Sequence, residues 1–242
     1  MTEVTYSKFR FIRMMQAIRL LIADKEDTKQ VFVILEALGR RAGEKSFKRF
    51  LKTPESETIL ASEKTLIDYL SDRDWLRTLP MGSLGRKYYQ FTEIEQITAD
   101  GLVEASEEGK VIGAVISEKA KRFQERTRDA HDLWHVVTGY GRDALGELSL
   151  LAFTYRQMGN LGFLFIIFFG LKLMRAQAPT IAAWPAIREG FSMGKQANWL
   201  GAAHWEHLLT LPLEQVRSEL NIGKPEVYRD ASMAIMEFAQ AK

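Results

Sequence analysis

The chain has 242 residues, of which 46% are hydrophobic and 26% are charged, so it can bury a substantial core and does not have the composition of a disordered chain. It contains no cysteine, which excludes disulfides, thiolate metal sites and cysteine nucleophiles. The net charge of +2 is too balanced to indicate nucleic-acid binding, and the N-terminus resembles neither a secretory signal nor a transit peptide, so we expect a cytoplasmic protein.

The hydrophobic pattern is helical along almost the whole chain, because apolar residues recur at i, i+3 and i+4 and no alternating strand pattern is present. Cap residues, such as Thr53-Pro54-Glu55, mark helix starts. Residues 98–110 are polar and predict a surface loop. We therefore expect an all-α, single-domain helical bundle that covers residues 1–242. The predicted helices cover residues 9–22, 31–41, a segment after Pro54, 84–91, 117–137, 143–158 and 163–174, with two or three more broken near Pro185, Pro212 and Pro225.

Two segments have a composition that allows either a structural or a lipid-binding interpretation. Residues 157–171 carry no charge but are fewer than the roughly 20 that cross a bilayer. They predict a central buried helix. Alternatively, they form the wall of a site for a long apolar ligand, or a face that inserts into a membrane surface. Residues 40–52 carry six basic side chains against Glu44 alone, which predicts a solvated face or attraction to anionic lipid headgroups.

Two of the four histidines, His131 and His135, lie four residues apart. On a helix this spacing puts two imidazoles on one face about 6 Å apart, where both can reach one divalent ion. Asp132 follows His131 directly and can bind at the edge of that face or orient a ligand from behind. His204 and His207 lack further ligands nearby, so we interpret them as surface or packing residues.

Glu147 would complete the ligand set, although it lies 12 residues beyond His135 and would be about 18 Å away on a straight helix. Gly139 and Gly141 lie between them and can break the helix, so that the next helix folds back and brings Glu147 opposite His135. The sequence therefore predicts a metal site between two helices of a hairpin.

Three residues beside this site have alternative roles. Asp143 can share the face of Glu147, but its more ordinary role is to cap the returning helix. Arg142 can hold a substrate carboxylate or pair with Asp143. Tyr140 is a weak candidate for a proton donor.

Two histidines with one or two carboxylates leave coordination positions open, as in a catalytic site. Such a site suits zinc as a Lewis acid and equally iron(II), with magnesium also open, and the ligands alone do not choose between them. A zinc peptidase is a poor alternative, because an aspartate in place of the usual glutamate would set the base about one methylene short and no strands precede the helix.

The motif His-Asp-x-x-His, followed after eleven residues by Glu, resembles the signature of the coenzyme Q biosynthesis family called Coq-four. Further segments resemble that family along the whole chain. These are Asp27-Thr28 with Val31-Phe32, residues 79–86 with Tyr88 and Phe91, Leu145-Gly146-Glu147, Phe168-Phe169-Gly170, residues 190–194, Trp205-Glu206, and residues 216–222.

The resemblance implies binding of a metal, with zinc as the expected ion, by His131, Asp132, His135 and Glu147, and a role in ubiquinone synthesis. The implied reaction removes the ring carboxylate of a polyprenylated 4-hydroxybenzoate, and in an oxidative version a hydroxyl replaces that carboxylate. It implies other ubiquinone biosynthesis proteins as partners and peripheral contact with membrane lipid, and the sequence leaves a homodimer open. Because the long N-terminal extension of mitochondrial members is absent, we expect a bacterial protein at the inner face of the membrane.

We expect Asp132 or Glu147 to donate a proton to the ring and Arg142 to bind the carboxylate, with the prenyl tail along residues 163–169. The alternative is a non-catalytic polyprenyl-lipid-binding organiser of the ubiquinone enzymes.

Overall fold

The computed structural model describes residues 16–20, 28–98, 117–177 and 182–240. These residues form helices and connecting turns, with one isolated bridge between Ser83 and Pro212, which confirms the all-α prediction. Residues 16–20 are helical. The helices that follow are α1 (Thr28–Phe50), α2 (Glu55–Ala61), α3 (Leu66–Ser71), α4 (Arg73–Thr78), α5 (Leu84–Glu95), α6 (Glu118–Asp129), α7 (His131–Thr138), α8 (Ala144–Met158), α9 (Leu161–Gln177), α10 (Ala183–Gln196), a 3-10 turn (Leu200–Ala202), α11 (Trp205–Leu208), α12 (Leu213–Glu219) and α13 (Glu226–Gln240).

The predicted helix bounds differ from the structure at several helices; those predicted over residues 84–91 and 163–174, for example, span Leu84–Glu95 and Leu161–Gln177. The helix predicted over residues 31–41 continues to Phe50. The run predicted over residues 117–137 is divided at Ala130, whose ψ of −7° departs from helical geometry, so that α7 is a separate helix. Pro185 does not break a helix but lies in the first turn of α10, where a backbone N–H has no partner within the helix to lose. The predicted loop 98–110, apart from Thr98, and most of the predicted helix 9–22 lie outside the described residues.

Helix α8 lies at the centre of the fold, because it packs against α10 on one side and α9 on another and also contacts α7 and α13. Its side chains Leu145, Leu150 and Phe153 are fully buried. Gly159 ends the helix with φ +71°. One helix of the predicted metal hairpin is therefore built into the core, which gives its side chains a fixed position.

The first interpretation of residues 157–171 is a central buried helix, but helix α9 is only partly buried. Phe163, Ile166 and Ile167 face the core, whereas Phe165 and Phe168 are 40% and 63% exposed. Within the described part of the chain, no helix is both long and apolar enough to cross a membrane. The helix therefore combines a core face with an exposed aromatic face.

The basic segment at the end of α1 separates its charges from its aromatic rings. All six basic side chains are exposed. Phe47 and Phe50 point inward instead and lie against Phe123, with ring centroids 5.9 and 4.8 Å apart. The exposed face of this segment thus carries six cations beside Glu44 and Leu51.

Candidate metal centre

Helix α7 presents the two motif histidines on one side. The His131 and His135 ring centroids are 5.0 Å apart, and the rings are perpendicular. His135 is 1% exposed, whereas His131 is partly exposed. Phe91 on α5 stacks against the His135 ring, with ring centroids 5.7 Å apart, and forms one wall of the site.

The chain reverses between α7 and α8 as the glycine spacing predicts. Gly139 ends α7 with φ +79°, a conformation that other residues adopt only at a cost. Asp143 then caps α8, since its Oδ1 accepts from the backbone N–H groups of Leu145 and Gly146 at 3.1 Å each. Gly146 is required because a Cβ there would lie 2.1 Å from the Gly141 carbonyl oxygen. We call residues 131–158, with both helices and this loop, the metal hairpin.

The metal hairpin brings His131, His135 and Glu147 together. One ligand atom from each residue lies within 4.8 Å of the other two. His135 Nε2 lies 3.5 Å from Glu147 Oε1. Among the described residues this is the group of histidine and carboxylate side chains arranged to hold a metal ion.

The hydrogen bond of the other ring nitrogen fixes which tautomer His135 adopts when neutral. Its Nδ1 lies 3.0 Å from the carbonyl oxygen of Tyr140, which can only accept, so Nδ1 carries the proton. Nε2 then carries a lone pair and lies 3.5 Å from Glu147 Oε1, and it is buried without a hydrogen-bond partner in the described structure. Two acceptors that face each other need either a proton or a metal cation between them, so these residues can hold a divalent metal.

The electrostatics of the three residues agree with this assignment. Burial and the nearby His135 lower the pKa of His131, which keeps it neutral and able to ligate. Burial disfavours a charged His135, but the Glu147 carboxylate outweighs burial and raises the pKa of His135. Burial also opposes the charge on Glu147, yet His135, His131 and Arg142 outweigh it and lower the pKa of Glu147, so this group is an anion.

The remaining predicted site residues lie around this group. Asp132 is buried in the first turn of α7 and is not one of the three clustered ligands, so its direct ligation stays a prediction. Arg142 lies at the exposed rim, with its Nε 3.9 Å from Glu147 Oε1. Asp143 acts as the helix cap. Tyr140 is buried with no hydrogen-bond partner for its hydroxyl in the described structure, and burial raises its pKa.

His204 and His207 lie elsewhere in the fold, near α11. Their ring centroids are 6.5 Å apart, and neither belongs to the clustered ligands. Their interpretation as packing or surface residues agrees with this placement.

The sequence does not predict the contacts by which the C-terminal helices hold the metal hairpin. Tyr228 on α13 bonds to the loop of the hairpin, and Arg217 on α12 bonds to the end of α7. Both residues lie at least 80 positions along the chain from the atoms they contact. Local spacing therefore carries no signal for them.

Comparison with known proteins identifies the family. The profile of the family described as coenzyme Q (ubiquinone) biosynthesis protein Coq4 matches residues 5–226, which is most of the chain. The chain belongs to the Coq4 family. It is 28% identical over 211 residues to the mitochondrial ubiquinone biosynthesis protein COQ4 homolog of Danio rerio, covering 84% of this chain and 72% of the relative. The human mitochondrial homolog is 25% identical, covering 81% of this chain and 72% of the relative.

The fold of the Coq4 family is also seen in a crystal structure. A protein from Nostoc punctiforme superposes with a TM-score of 0.62 at 20% sequence identity, covering 87% of this chain and 95% of that chain. Membership of the Coq4 family assigns this chain to ubiquinone biosynthesis. The cluster of His131, His135 and Glu147, which could hold a metal ion, is the candidate functional site of this fold.

Proposed function

We propose that this Coq4 protein is a metal-dependent lyase that removes the ring carboxylate of a polyprenylated 4-hydroxybenzoate. The observation that carries the proposal is the buried, unpartnered Nε2 of His135 facing the Glu147 carboxylate beside His131. Three protein ligands leave positions open for substrate. A bound divalent cation, for which zinc is the first candidate, would supply Lewis acidity toward a substrate oxygen.

The reaction requires one proton and no oxidant in its simple form. The bond between the ring carbon and the carboxylate carbon breaks, carbon dioxide leaves, and the electron pair stays on the ring carbon, which takes a proton. Glu147 is held as an anion and is suited to ligation. The proposed donor is therefore Asp132, which is buried in the first turn of α7. In the oxidative version the ring carbon instead receives a hydroxyl whose oxygen comes from water, while dioxygen takes up the two electrons and two protons and leaves as hydrogen peroxide.

Arg142 is the residue proposed to bind the carboxylate before it leaves. Its guanidinium lies at the exposed rim of the site and is 3.9 Å from Glu147, too far for a strong hydrogen bond. It therefore has donors available for a second carboxylate. A planar guanidinium can hold a carboxylate by two parallel hydrogen bonds.

An exposed apolar groove offers a place for the prenyl tail. Leu164, Phe165, Phe168 and Phe169 on α9 line a shallow groove of about 310 Å³. The same helix packs against α8, which carries Glu147, and against α1. The groove and the metal centre are therefore held by directly contacting helices.

The test is release of labelled carbon dioxide from a polyprenyl 4-hydroxybenzoate that carries the label in its carboxyl group. We expect the metal-loaded protein to release it and His135→Ala to lose about 100-fold or more, because several kcal/mol of charge stabilisation disappear with the ligand. His207→Ala is the matched control, since His207 is exposed and outside the site. Product formation and metal content that survive both His135→Ala and His131→Ala would contradict the proposal.

The exposed groove also favours a second candidate, a non-catalytic organiser that binds polyprenyl lipid for the other ubiquinone biosynthesis proteins. In that case the purified protein would bind the prenylated acid without turning it over. The same experiment separates the two, because binding without release of carbon dioxide at any metal loading supports the organiser. For either function we propose peripheral contact with the inner face of a bacterial membrane.

A further inference from the structure

The C-terminal part of the fold holds the metal hairpin at both of its helices. Arg217 on α12 donates from Nε to the Val137 carbonyl at 2.9 Å and from Nη2 to the Val136 carbonyl at 3.3 Å. These carbonyls belong to the last turn of α7, which has no partners for them within the helix. A guanidinium at this end also interacts favourably with the helix dipole.

Tyr228, in the first turn of α13, bonds to the loop and to the second helix through one hydroxyl. The oxygen accepts from the Gly141 N–H at 2.9 Å, and the hydroxyl donates to Oδ2 of Asp143. The other oxygen of Asp143 caps α8. Glu147 lies one turn into α8, so the Asp143 cap connects Tyr228 to this ligand.

Tyr228 is itself held in a fixed position. The Glu189 carboxylate accepts from the backbone N–H groups of Val227 and Tyr228 at 3.0 and 3.1 Å. The Tyr140 ring packs edge-on against the Tyr228 ring, with centroids 5.3 Å apart. The backbone carbonyl of Tyr140 is the acceptor for His135 Nδ1, so Tyr228 also contacts the residue that orients the other ligand.

We propose that Tyr228 is a positioning residue for the metal centre, which sets the distance between His135 and Glu147 by bridging Gly141 and Asp143. This inference rests on the proposed metal site. The Tyr228 hydroxyl bonds to Gly141 and Asp143 and not to one of the three clustered ligands, so its role is to keep the loop closed while the ligands bind. Removal of its hydroxyl should weaken metal binding on the order of 10-fold, the scale of lost outer-shell support.

The test measures Co²⁺ affinity, by competition with a chelator, together with the visible absorption spectrum of the bound ion. Tyr228→Phe deletes the bridging hydroxyl and keeps the ring. Tyr69→Phe is the matched control, because Tyr69 packs against Trp75, far along the chain from the hairpin. We expect Tyr228→Phe to bind Co²⁺ about 10-fold more weakly with shifted absorption bands, and Tyr69→Phe to match the wild type in both.

A second variant breaks the same bridge from its other end. Asp143→Asn keeps an acceptor oxygen for the α8 cap but puts an NH₂ group where Tyr228 donates. We expect the same loss of Co²⁺ affinity, and the double variant should lose little more than either single variant. This variant decides the question if Tyr228→Phe does not fold, as judged by circular dichroism.

The outcomes separate this inference from the proposed function. Wild-type protein that binds no Co²⁺ would overturn the metal site itself. Wild-type protein that binds Co²⁺, with Tyr228→Phe or Asp143→Asn unchanged in affinity and spectrum, would overturn the positioning role and leave the metal site in place.

Discussion

His135 faces two acceptors through its two ring nitrogens, the Tyr140 carbonyl at 3.0 Å and the Glu147 carboxylate at 3.5 Å. A neutral imidazole carries one N–H proton, and here Nδ1 donates it in a hydrogen bond to the Tyr140 carbonyl. The contact with Glu147 is then satisfied by either a second proton or a cation. The same geometry therefore explains the raised pKa of His135 and the capacity of the site to hold a metal.

Metal affinity should rise with pH, because a metal ion must displace the proton of His135. The folded-state pKa of His135 is raised, so below that pKa each bound ion releases a proton. His131, whose pKa is lowered, is already neutral there and adds no second proton. We expect Co²⁺ affinity to rise by roughly 10-fold per pH unit until the pKa of His135 is passed, and then to level off, in titrations from about pH 6 to about pH 9.

The metal-free protein should show the opposite dependence. A raised folded pKa means that the His135–Glu147 contact adds to stability fully below the unfolded pKa and that this contribution is lost as pH rises through the folded pKa. His135→Gln should remove that part of the pH dependence from urea unfolding curves of the metal-free protein. A Co²⁺ affinity that does not change with pH would show that a proton does not compete with the metal at His135.

At the scale of helices, a buried ion pair joins α6 to the segment that begins α11. Arg126 donates to both carboxylate oxygens of Glu206 and to the Ala203 carbonyl, and the two side chains are only 8% and 16% exposed. Burial opposes the charge on Glu206, but Arg126 outweighs it and lowers the pKa of this carboxyl. The pair therefore holds α6 in place directly before the metal-binding helix.

Breaking this pair should destabilise the fold strongly, whereas replacing both partners should not. Glu206→Gln leaves the Arg126 charge buried without its counterion, at a cost of about 3 kcal/mol in the free energy of unfolding. The double variant Arg126→Met/Glu206→Leu should recover most of that loss, because no buried charge is left. Urea unfolding measures both, and a Glu206→Gln variant as stable as wild type would show that the pair is solvated.

The bounds of α8 could be predicted because the signals for them are local: Asp143 caps its own helix and Gly159 ends it. The continuation of α1 to Phe50 could not, because Phe47 and Phe50 are stabilised by Phe123, more than 70 residues further along the chain. The helix spacing placed His131 and His135 on one face and the two glycines placed Glu147 opposite them. It did not show Tyr228, whose contacts depend on how the C-terminal helices pack.

For the molecule as a whole, an exposed aromatic groove and a cationic face lie on two helices that pack together, α9 and α1. Asn160, just before α9, donates to the Leu35 carbonyl of α1 at 3.0 Å, so the two helices are held together by a hydrogen bond as well as by apolar contacts. We expect apolar insertion and attraction to anionic headgroups together to give reversible binding to a membrane surface.

We expect Phe165→Ser/Phe168→Ser to reduce binding to vesicles that contain phosphatidylglycerol by roughly 10-fold or more, because two rings lose their apolar transfer energy.

Lys45→Glu/Lys48→Glu should reduce binding at low salt and weaken its salt dependence, since each cation near the surface contributes about 1 kcal/mol. Met233→Ser/Met236→Ser is the control, because these side chains are 54% and 57% exposed on α13. Vesicle flotation measures all three. If the control variant lost as much binding as the groove variant, insertion would not be specific to α9, and if only the lysine variant lost binding, the contact would be electrostatic and the groove would remain free to take a prenyl tail.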